Sequence, residues 1–276
     1  MFGKFKSPNI DRLAEVDQAD CEYDEKCKII QGVVSPVGAG GWPRSNDYQV
    51  HCFSFAAWRE IDGTAKEEMI EQKLTILRPV PLGKIPFDDF PEYTLHRIKA
   101  LLSKDRTRAI FAGAEKLDSP DAELLAFTEE LQKPVIVSTE RFGELTLNRR
   151  IDWFEGNADW NGRPIEISFD VSDQSQLPEA LKTAEALWDA QVDWKRRVDE
   201  YAVHKLLRLK NDSWLDEDES PLTPEQFKSR MRLQSISVHT DGSFDFWHDD
   251  GSLFWGHSIQ ISGTLGRGLT DADIPG

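Results

Sequence analysis

The sequence contains few cysteines and no long apolar run. Its three cysteines, Cys21, Cys27 and Cys52, are an odd number in 276 residues, which argues against a disulfide framework and favours reduced thiols in a cytosol. The N-terminal segment has no apolar core of signal-peptide length, and no stretch approaches the roughly 18 apolar residues that a membrane span needs. We therefore expect a cytoplasmic protein without a membrane anchor.

Basic residues are also scarce. Lys and Arg number 33 against 49 Asp and Glu, which gives a net charge of −16, and a protein of that charge is repelled by phosphate backbones and anionic lipid surfaces. The sequence therefore predicts no nucleic-acid partner and no membrane partner. Residues 142–276 carry 14 basic and 25 acidic side chains, so the acidic character belongs mainly to the C-terminal half.

The common catalytic and metal-binding motifs are missing. There is no Gly-x-Ser-x-Gly elbow and no His-Glu-x-x-His helix, and no Lys-Ser or Lys-Thr pair follows Gly38-Ala39-Gly40-Gly41 to complete a phosphate-binding loop. Cys21 and Cys27 do not have zinc-finger spacing. These absences predict no metal and no cofactor, and they favour a protein that is not an enzyme.

The composition is that of a globular protein, with 39% hydrophobic and 30% charged residues. We divide the chain into a lead-in segment at 1–47 with room for one strand, an N-terminal α+β domain at 48–141 and a C-terminal α+β domain at 142–276. The predicted class is α+β. It combines a β-rich N-terminal region containing one helix with a C-terminal antiparallel sheet of three strands, a long helix, a short helix and a three-stranded meander.

In the N-terminal domain, turn residues and a helix start are the clearest signals. Two β-rich runs, 48–58 and 69–80, are joined through Asp62-Gly63-Thr64, whose residues suit a turn that needs positive φ. Further along, Ser119 is the predicted N-cap of a helix and Pro120 its first residue. We expect a hairpin with a wide connection, followed by that helix.

In the C-terminal domain, apolar residues recur at helical spacing from 177 to 209, which predicts one long helix or two nearly collinear ones. Before them, Asn161-Gly162 predicts a hairpin turn. After them comes the acidic run 216–219, most simply a solvated connection, although four acidic residues would also suit a basic partner. Thr223-Pro224-Glu225-Gln226 is a capping box that predicts a short helix.

The last strands are predicted to form the meander, from Ser235 to Ser262. Two-residue turns at Asp241-Gly242 and Asp250-Gly251 would fix its register. In that register Phe244 lies between His239 and His257 in one row across the sheet.

The same register places His239, His248 and His257 on one face of the sheet. His239 and His257 would be about 10 Å apart across two strand spacings, too far for one metal ion. Asp245 would face away from these histidines, which weakens an acid-base site.

Tryptophan is abundant, with nine in the chain and seven of them after residue 142. It supplies large contact area at interfaces, although it also anchors cores. Trp153 and Trp160 flank the turns of a hairpin, and Trp255 precedes Gly256, where a strand can be approached closely. The candidate binding residues are His239, Phe244, Trp255, His257, Trp153 and Trp160.

Three motifs carry a resemblance to a known family. They are FGELTLNRRIDWFEG from Phe142, followed by DWNG from Asp159, and DGSFDFWHDDGSLFWGHSI from Asp241. Residues 142–276 resemble a bacterial domain family of unknown function. That family has no assigned chemistry, so the resemblance implies a bacterial origin, and no catalytic residue can be transferred from it.

Three functions remain open. We favour a non-enzymatic protein that binds another protein through an acidic, tryptophan-rich face, in its sharpest form an immunity-type protein that neutralises a basic toxin. The second is an enzyme that uses His239 and His257 with a nearby carboxylate for acid-base chemistry. The third is a structural protein that self-associates through the long helix.

Overall fold

The computed structural model describes residues 21–37, 40–43, 48–62, 65–81, 89–117 and 121–276. The chain divides into two compact units, Met1–Lys133 and Pro134–Gly276. Both contain a β-sheet and helical structure, so the predicted α+β class is confirmed. None of the helices in the described ranges combines the length and apolar composition needed to cross a bilayer.

The first unit is built on a sheet that closes on itself. Its strands are β1 (Lys28–Val34), β2 (Gly40–Pro43), β3 (Tyr48–Asp62), β4 (Ala65–Lys66), β5 (Leu74–Pro81), β6 (Leu95–Leu102) and β7 (Arg108–Glu115). The order runs β1-β6-β7-β5-β3, and β1 also pairs with β3. The predicted pairing of 48–58 with 69–80 is confirmed as β3 against β5.

One helix, α1 (Ala122–Leu131), belongs to the first unit. Its N-cap is Asp121, whose carboxylate accepts hydrogen bonds from the backbone N–H groups of Glu123 and Leu124. This satisfies two of the amides that a helix start leaves unpaired. The predicted helix is confirmed, but it begins at Ala122, and the predicted cap Ser119 and first residue Pro120 lie outside the described residues.

The second unit contains one sheet of eight strands. They are β8 (Ile136–Thr139), β9 (Gly143–Asn148), β10 (Trp153–Trp160), β11 (Arg163–Asp170), β12 (Arg232–His239), β13 (Ser243–Asp249), β14 (Ser258–Thr264) and β15 (Gly268–Asp273). They lie in sequence order across the sheet. Only β11 and β12 pair in parallel. A parallel pair needs a long crossover, and here it contains all three helices of the unit.

These helices are α2 (Leu177–Asp189), α3 (Gln191–Ser213) and α4 (Pro224–Arg230). The helical spacing predicts either one long helix or two nearly collinear ones, and the structure has two. Ala190 separates them, because its backbone leaves helical geometry at φ −115° and ψ 26°. The predicted capping box at Thr223 and Gln226 is confirmed. Apolar side chains of the helices and of one sheet face, among them Val198, Phe169 and Phe246, form a single core.

The predicted register of the meander is wrong at both turns. Three residues, 240–242, connect β12 to β13, so Val238 rather than His239 lies opposite Phe244. The next connection is a loop of eight residues, 250–257, and Asp249 pairs with Ser258. A shift of one residue moves every side chain of a strand to the other face. Phe244 therefore enters the core, where it is fully buried.

The eight-residue loop is organised by a buried carboxylate. The side chain of Asp250 accepts hydrogen bonds from the backbone N–H groups of Ser252, Phe254 and Gly256 at 3.1, 2.6 and 3.1 Å. Within the loop, Leu253 and Phe254 are fully buried in the core. The loop therefore inserts apolar side chains under the sheet, where the sequence predicted a tight turn and a strand.

Candidate functional site

The helices of the second unit pack on one face of its sheet, and the opposite face, here called the outer face, is polar. Side chains alternate along a strand, so Ile167 and Phe169 point into the core while Ser168 and Asp170 point outward. Cross-strand partners share a face, which allows the outer face to be read across six strands. One row contains Glu155, Ser168, Ser237, Asp245, Ser262 and Asp271.

A second row lies beside the first and contains Asn157, Glu166, Ser235, Trp247, Gln260 and Asp273. Together with Asp170, the two rows carry six carboxylates and no Lys or Arg. Glu166, Asp170, Asp271 and Asp273 are exposed. The outer face is therefore a polar surface of strongly negative charge.

His239 lies beside these two rows, and two carboxylates hold it. Its Nδ1 lies 3.1 Å from Asp170 Oδ2 and its Nε2 lies 2.8 Å from Asp245 Oδ2. The indole of Trp153 meets the imidazole edge-on, with ring centroids 5.9 Å apart. The side chain keeps 24% of its surface exposed. These contacts fix the orientation of the ring at the end of β12.

Asp245 links His239 to the neighbouring strand. Its second oxygen, Oδ1, accepts hydrogen bonds from Gln260 Nε2 at 2.9 Å and Ser262 Oγ at 2.5 Å. We call Asp170, His239, Asp245, Gln260 and Ser262 the His239 network. It spans β11 to β14, so four strands hold its side chains in place.

Charge and burial set the protonation of the network. The hydrogen bond with Asp245 has the largest effect on the pKa of His239, and the hydrogen bond with Asp170 acts in the same direction. Together they outweigh the effect of burial and raise the pKa of the imidazole to about 9. Burial alone would raise the pKa of Asp245, but hydrogen bonds from His239, Ser262 and Gln260 outweigh it and lower that pKa. At neutral pH His239 is therefore an imidazolium, and both ring N–H groups donate to carboxylates.

This arrangement suits binding better than proton transfer. A general base needs a free nitrogen and a pKa near the working pH, and His239 has neither. A nucleophilic serine would need to contact that nitrogen, whereas Ser262 donates to Asp245. The network is thus a rigid, charged part of the surface.

We expect the free energy of unfolding to depend on pH through the protonation of His239. The folded pKa of His239, about 9, lies above its ordinary value of about 6.5, so its stabilisation is complete below pH 6.5 and is lost as pH rises through 9. At pH 6, His239→Gln should lower the free energy of unfolding by roughly 1–3 kcal/mol. Urea denaturation should show this difference shrinking between pH 7 and 10, and a constant difference would contradict the assignment.

The candidate residues from the sequence fall into three places. His239 and Trp153 meet on the outer face. Phe244 and Trp160 lie in the core, 0% and 4% exposed, so burial removes them from the outer face. Trp255 and His257 lie in the loop 250–257, at the far end of β13, and so roughly 20 Å from His239 at 3.3 Å per residue.

Trp255 and His257 pack with a third aromatic residue. Trp255 is 61% exposed, and its indole N–H donates to Asp216 Oδ1 at 3.2 Å. Trp214 lies 4.7 Å from the Trp255 ring and 5.5 Å from the His257 ring, measured between centroids. The described residues hold no grouping of three or more His, Cys, Asp or Glu side chains that could ligate a metal ion.

Sequence reasoning missed most of the His239 network. Asp170, Gln260 and Ser262 were not singled out, and Asp245 was expected to face away from His239. The signal was available in the three-residue connection Thr240-Asp241-Gly242, in which Gly242 has a φ of 78°. A three-residue hairpin ending in a left-handed glycine is common, and it places His239 and Asp245 on the same face.

Comparison with known proteins found a family whose model matches most of the second unit. Residues 139–274 match the model of a family described as "Uncharacterized protein conserved in bacteria (DUF2262)". The matched segment contains the whole His239 network and the loop 250–257. A search of curated proteins found no match.

Proposed function

We propose that residues 139–274, which match the model of this uncharacterised bacterial family, form a module that binds a basic protein through the outer face. The observation that carries the proposal is the charge of that face. Its two central rows, taken with Asp170, present six carboxylates and no Lys or Arg, and His239 beside them is held between Asp170 and Asp245. Arg232 lies on the same face in the next row, where its cross-strand partner is Asp249. A basic protein surface is the complementary partner.

The outer face also offers aromatic contact area. Trp153 and Trp247 are partly exposed on it, and tryptophan is enriched among the residues that dominate binding energy. A basic partner can place Arg or Lys over such rings, because the indole face attracts cations. Charge would then steer the encounter, and the tryptophans would hold the complex.

Preorganisation supports the same proposal. Binding orders flexible side chains at a cost of about 0.5–1.5 kcal/mol each. In the His239 network the hydrogen bonds already hold the side chains, including Gln260 Nε2 on Asp245 at 2.9 Å. The centre of the face therefore loses little conformational freedom when a partner binds.

Self-association through the long helix has less support. The buried side of α3, which includes Trp194, Val198 and Leu206, packs in the core of its own unit. Its exposed side carries ion pairs four residues apart, such as Arg196 with Glu200 at 2.9 Å. A solvated, ion-paired helix face is a poor dimer surface.

The test neutralises three carboxylates of the outer face and compares the capture of a basic protein with that of a variant neutralised at three other sites. In the triple variant Glu166→Gln, Asp271→Asn, Asp273→Asn, we expect capture of a basic protein from a bacterial lysate at 50 mM salt to fall about tenfold or more. Raising the salt should weaken wild-type capture as well. Quantitative mass spectrometry of the captured proteins measures both effects.

The matched control neutralises three exposed acidic residues that lie off the outer face, with Glu217→Gln, Asp218→Asn and Glu225→Gln. It makes the same change in net charge, and it should retain the captured protein. Equal losses in the two triple variants would show that net charge, and not the outer face, governs capture. Absence of any salt-sensitive basic partner would overturn the proposal.

A further inference from the structure

A cleft of about 340 Å³ opens on the helix-covered side of the sheet in the second unit. It lies between the turn that joins β10 to β11, helix α3 and helix α4. Its apolar lining includes Trp160, Ile165, Val198, Met231 and Phe246. The volume is at the low end of the range for small-molecule sites, which suits a ligand with one or two rings.

A buried histidine in the cleft lining has an unpaired nitrogen. His248 is 4% exposed, and burial lowers the pKa of its imidazole to about 4, so the ring is neutral at pH 7. Its Nδ1 is buried and has no hydrogen-bond partner. Leaving a buried polar atom unpaired costs about 1–3 kcal/mol, and such atoms are uncommon in folded proteins. A bound molecule that reaches Nδ1 would remove that cost.

The polar lining of the cleft is positive, unlike the rest of the chain. Arg163, Lys195 and Lys228 line it, with Asp199 as the single carboxylate. Lys195 pairs with Asp199 at 2.5 Å, and Arg163 forms no salt bridge within the described parts of the chain. Lys228 Nζ lies 3.9 Å from Glu225 Oε1, so Arg163 is the cationic lining group left to meet a ligand, in a protein whose net charge is −16.

We propose that this cleft binds a small organic anion with an aromatic or similarly apolar ring. The anionic group would meet Arg163, the ring would lie against Trp160 and Phe246, and a polar atom would pair with His248 Nδ1. Arg is suited to the first contact, because its guanidinium binds carboxylate and phosphate oxygens in pairs. This site is separate from the outer face and does not depend on the function proposed for it.

The experiment titrates ¹⁵N-labelled full-length protein with indole-3-acetate and with phenyl phosphate, which carry the two candidate anionic groups. We expect at least one of them to cause saturable shifts of the Trp160 indole and His248 ring signals. Tryptamine keeps the indole ring but reverses the charge, and inorganic phosphate lacks the ring. Neither should produce those shifts.

Three variants and a control make the test specific. Arg163→Gln should weaken binding of the active anion about tenfold, since it removes a charge-assisted contact, and Arg163→Lys should restore part of it. Arg208→Gln is the matched control, because Arg208 lies on α3, is 91% exposed and pairs with Asp212. His248→Phe should also weaken binding, because it removes the nitrogen that the ligand would contact.

Four results would overturn the proposal. They are no saturable shift with either aryl anion, equal shifts with tryptamine, equal shifts with inorganic phosphate, and equal weakening by Arg163→Gln and Arg208→Gln. Unchanged affinity in His248→Phe would remove His248 from the site.

Discussion

Replacing Glu219 by Gln is expected to lower the free energy of unfolding of the second unit by about 3–5 kcal/mol. The reason is its partner, Lys210, which is fully buried. Lys210 Nζ donates to Glu219 Oε2 at 2.5 Å and to the carbonyl of Trp214 at 2.7 Å. Without the carboxylate, a positive charge would remain in the protein interior with no counter-charge on that atom.

Glu219 also joins two helices. Its other oxygen, Oε1, accepts a hydrogen bond from Arg230 Nη1 at 2.6 Å, so one carboxylate links the end of α3 to the end of α4. The hydrogen bond from Lys210 is the largest influence on Glu219, and it lowers the pKa of the carboxyl against the effect of burial. The interpretation of 216–219 as a solvated acidic run is therefore wrong for Glu219, which is an internal partner.

Denaturation by urea, followed through hydrogen exchange of the α3 amides, measures the effect on the second unit. Glu217→Gln is the matched control, because Glu217 lies two residues away and is exposed, and it should change stability by less than about 0.5 kcal/mol. The double variant Lys210→Met, Glu219→Gln should recover much of the loss, since it removes both charges. A loss below about 1 kcal/mol in Glu219→Gln would contradict the assignment.

Phe244→Ala should destabilise the second unit by about 3–5 kcal/mol. Phe244 is fully buried, and its ring packs edge-on against Trp194 and Phe246 with centroids 5.1 and 5.7 Å apart. Truncation removes the apolar contacts and leaves a cavity that a sheet and a helix cannot easily close. Thermal and urea denaturation both measure the loss.

The same variant distinguishes the two registers of the β12–β13 hairpin. In the register predicted from the sequence, Phe244 lies in a row with His239 on the candidate binding face, and its truncation would weaken binding. In the observed register the stability loss dominates. Trp255→Ala is the control, because Trp255 is 61% exposed and should change stability by less than about 1 kcal/mol. Similar small losses in both variants would contradict the burial of Phe244.

Local chemistry made several elements predictable. The capping box at Thr223 and the turn at Asn161-Gly162 use bonds and φ values that depend on a few adjacent residues. Helical spacing from residue 177 reflects the single apolar face of α2 and α3. Each of these signals lies within one or two turns of chain, so it does not depend on the rest of the fold.

The candidate site was only partly predictable. His239 and Trp153 could be selected by residue type, and both lie on the outer face. Their partners could not be predicted, because Asp170 and Asp245 approach His239 from other strands. The register between strands depends on the length of the connection and on which side chains are buried in the core. An error of one residue exchanged the positions of Phe244 and Asp245.

Composition, charge and local periodicity establish an acidic α+β chain with its helices and several strands, and short sequence motifs carry the resemblance to a bacterial family over residues 142–276. Those properties are sums over residues or patterns between near neighbours. The parallel pairing of β11 with β12, the burial of Lys210 against Glu219 and the cationic cleft around His248 arise from contacts between segments far apart in sequence. The burial of apolar side chains from the whole unit selects such contacts, and the meander register with them.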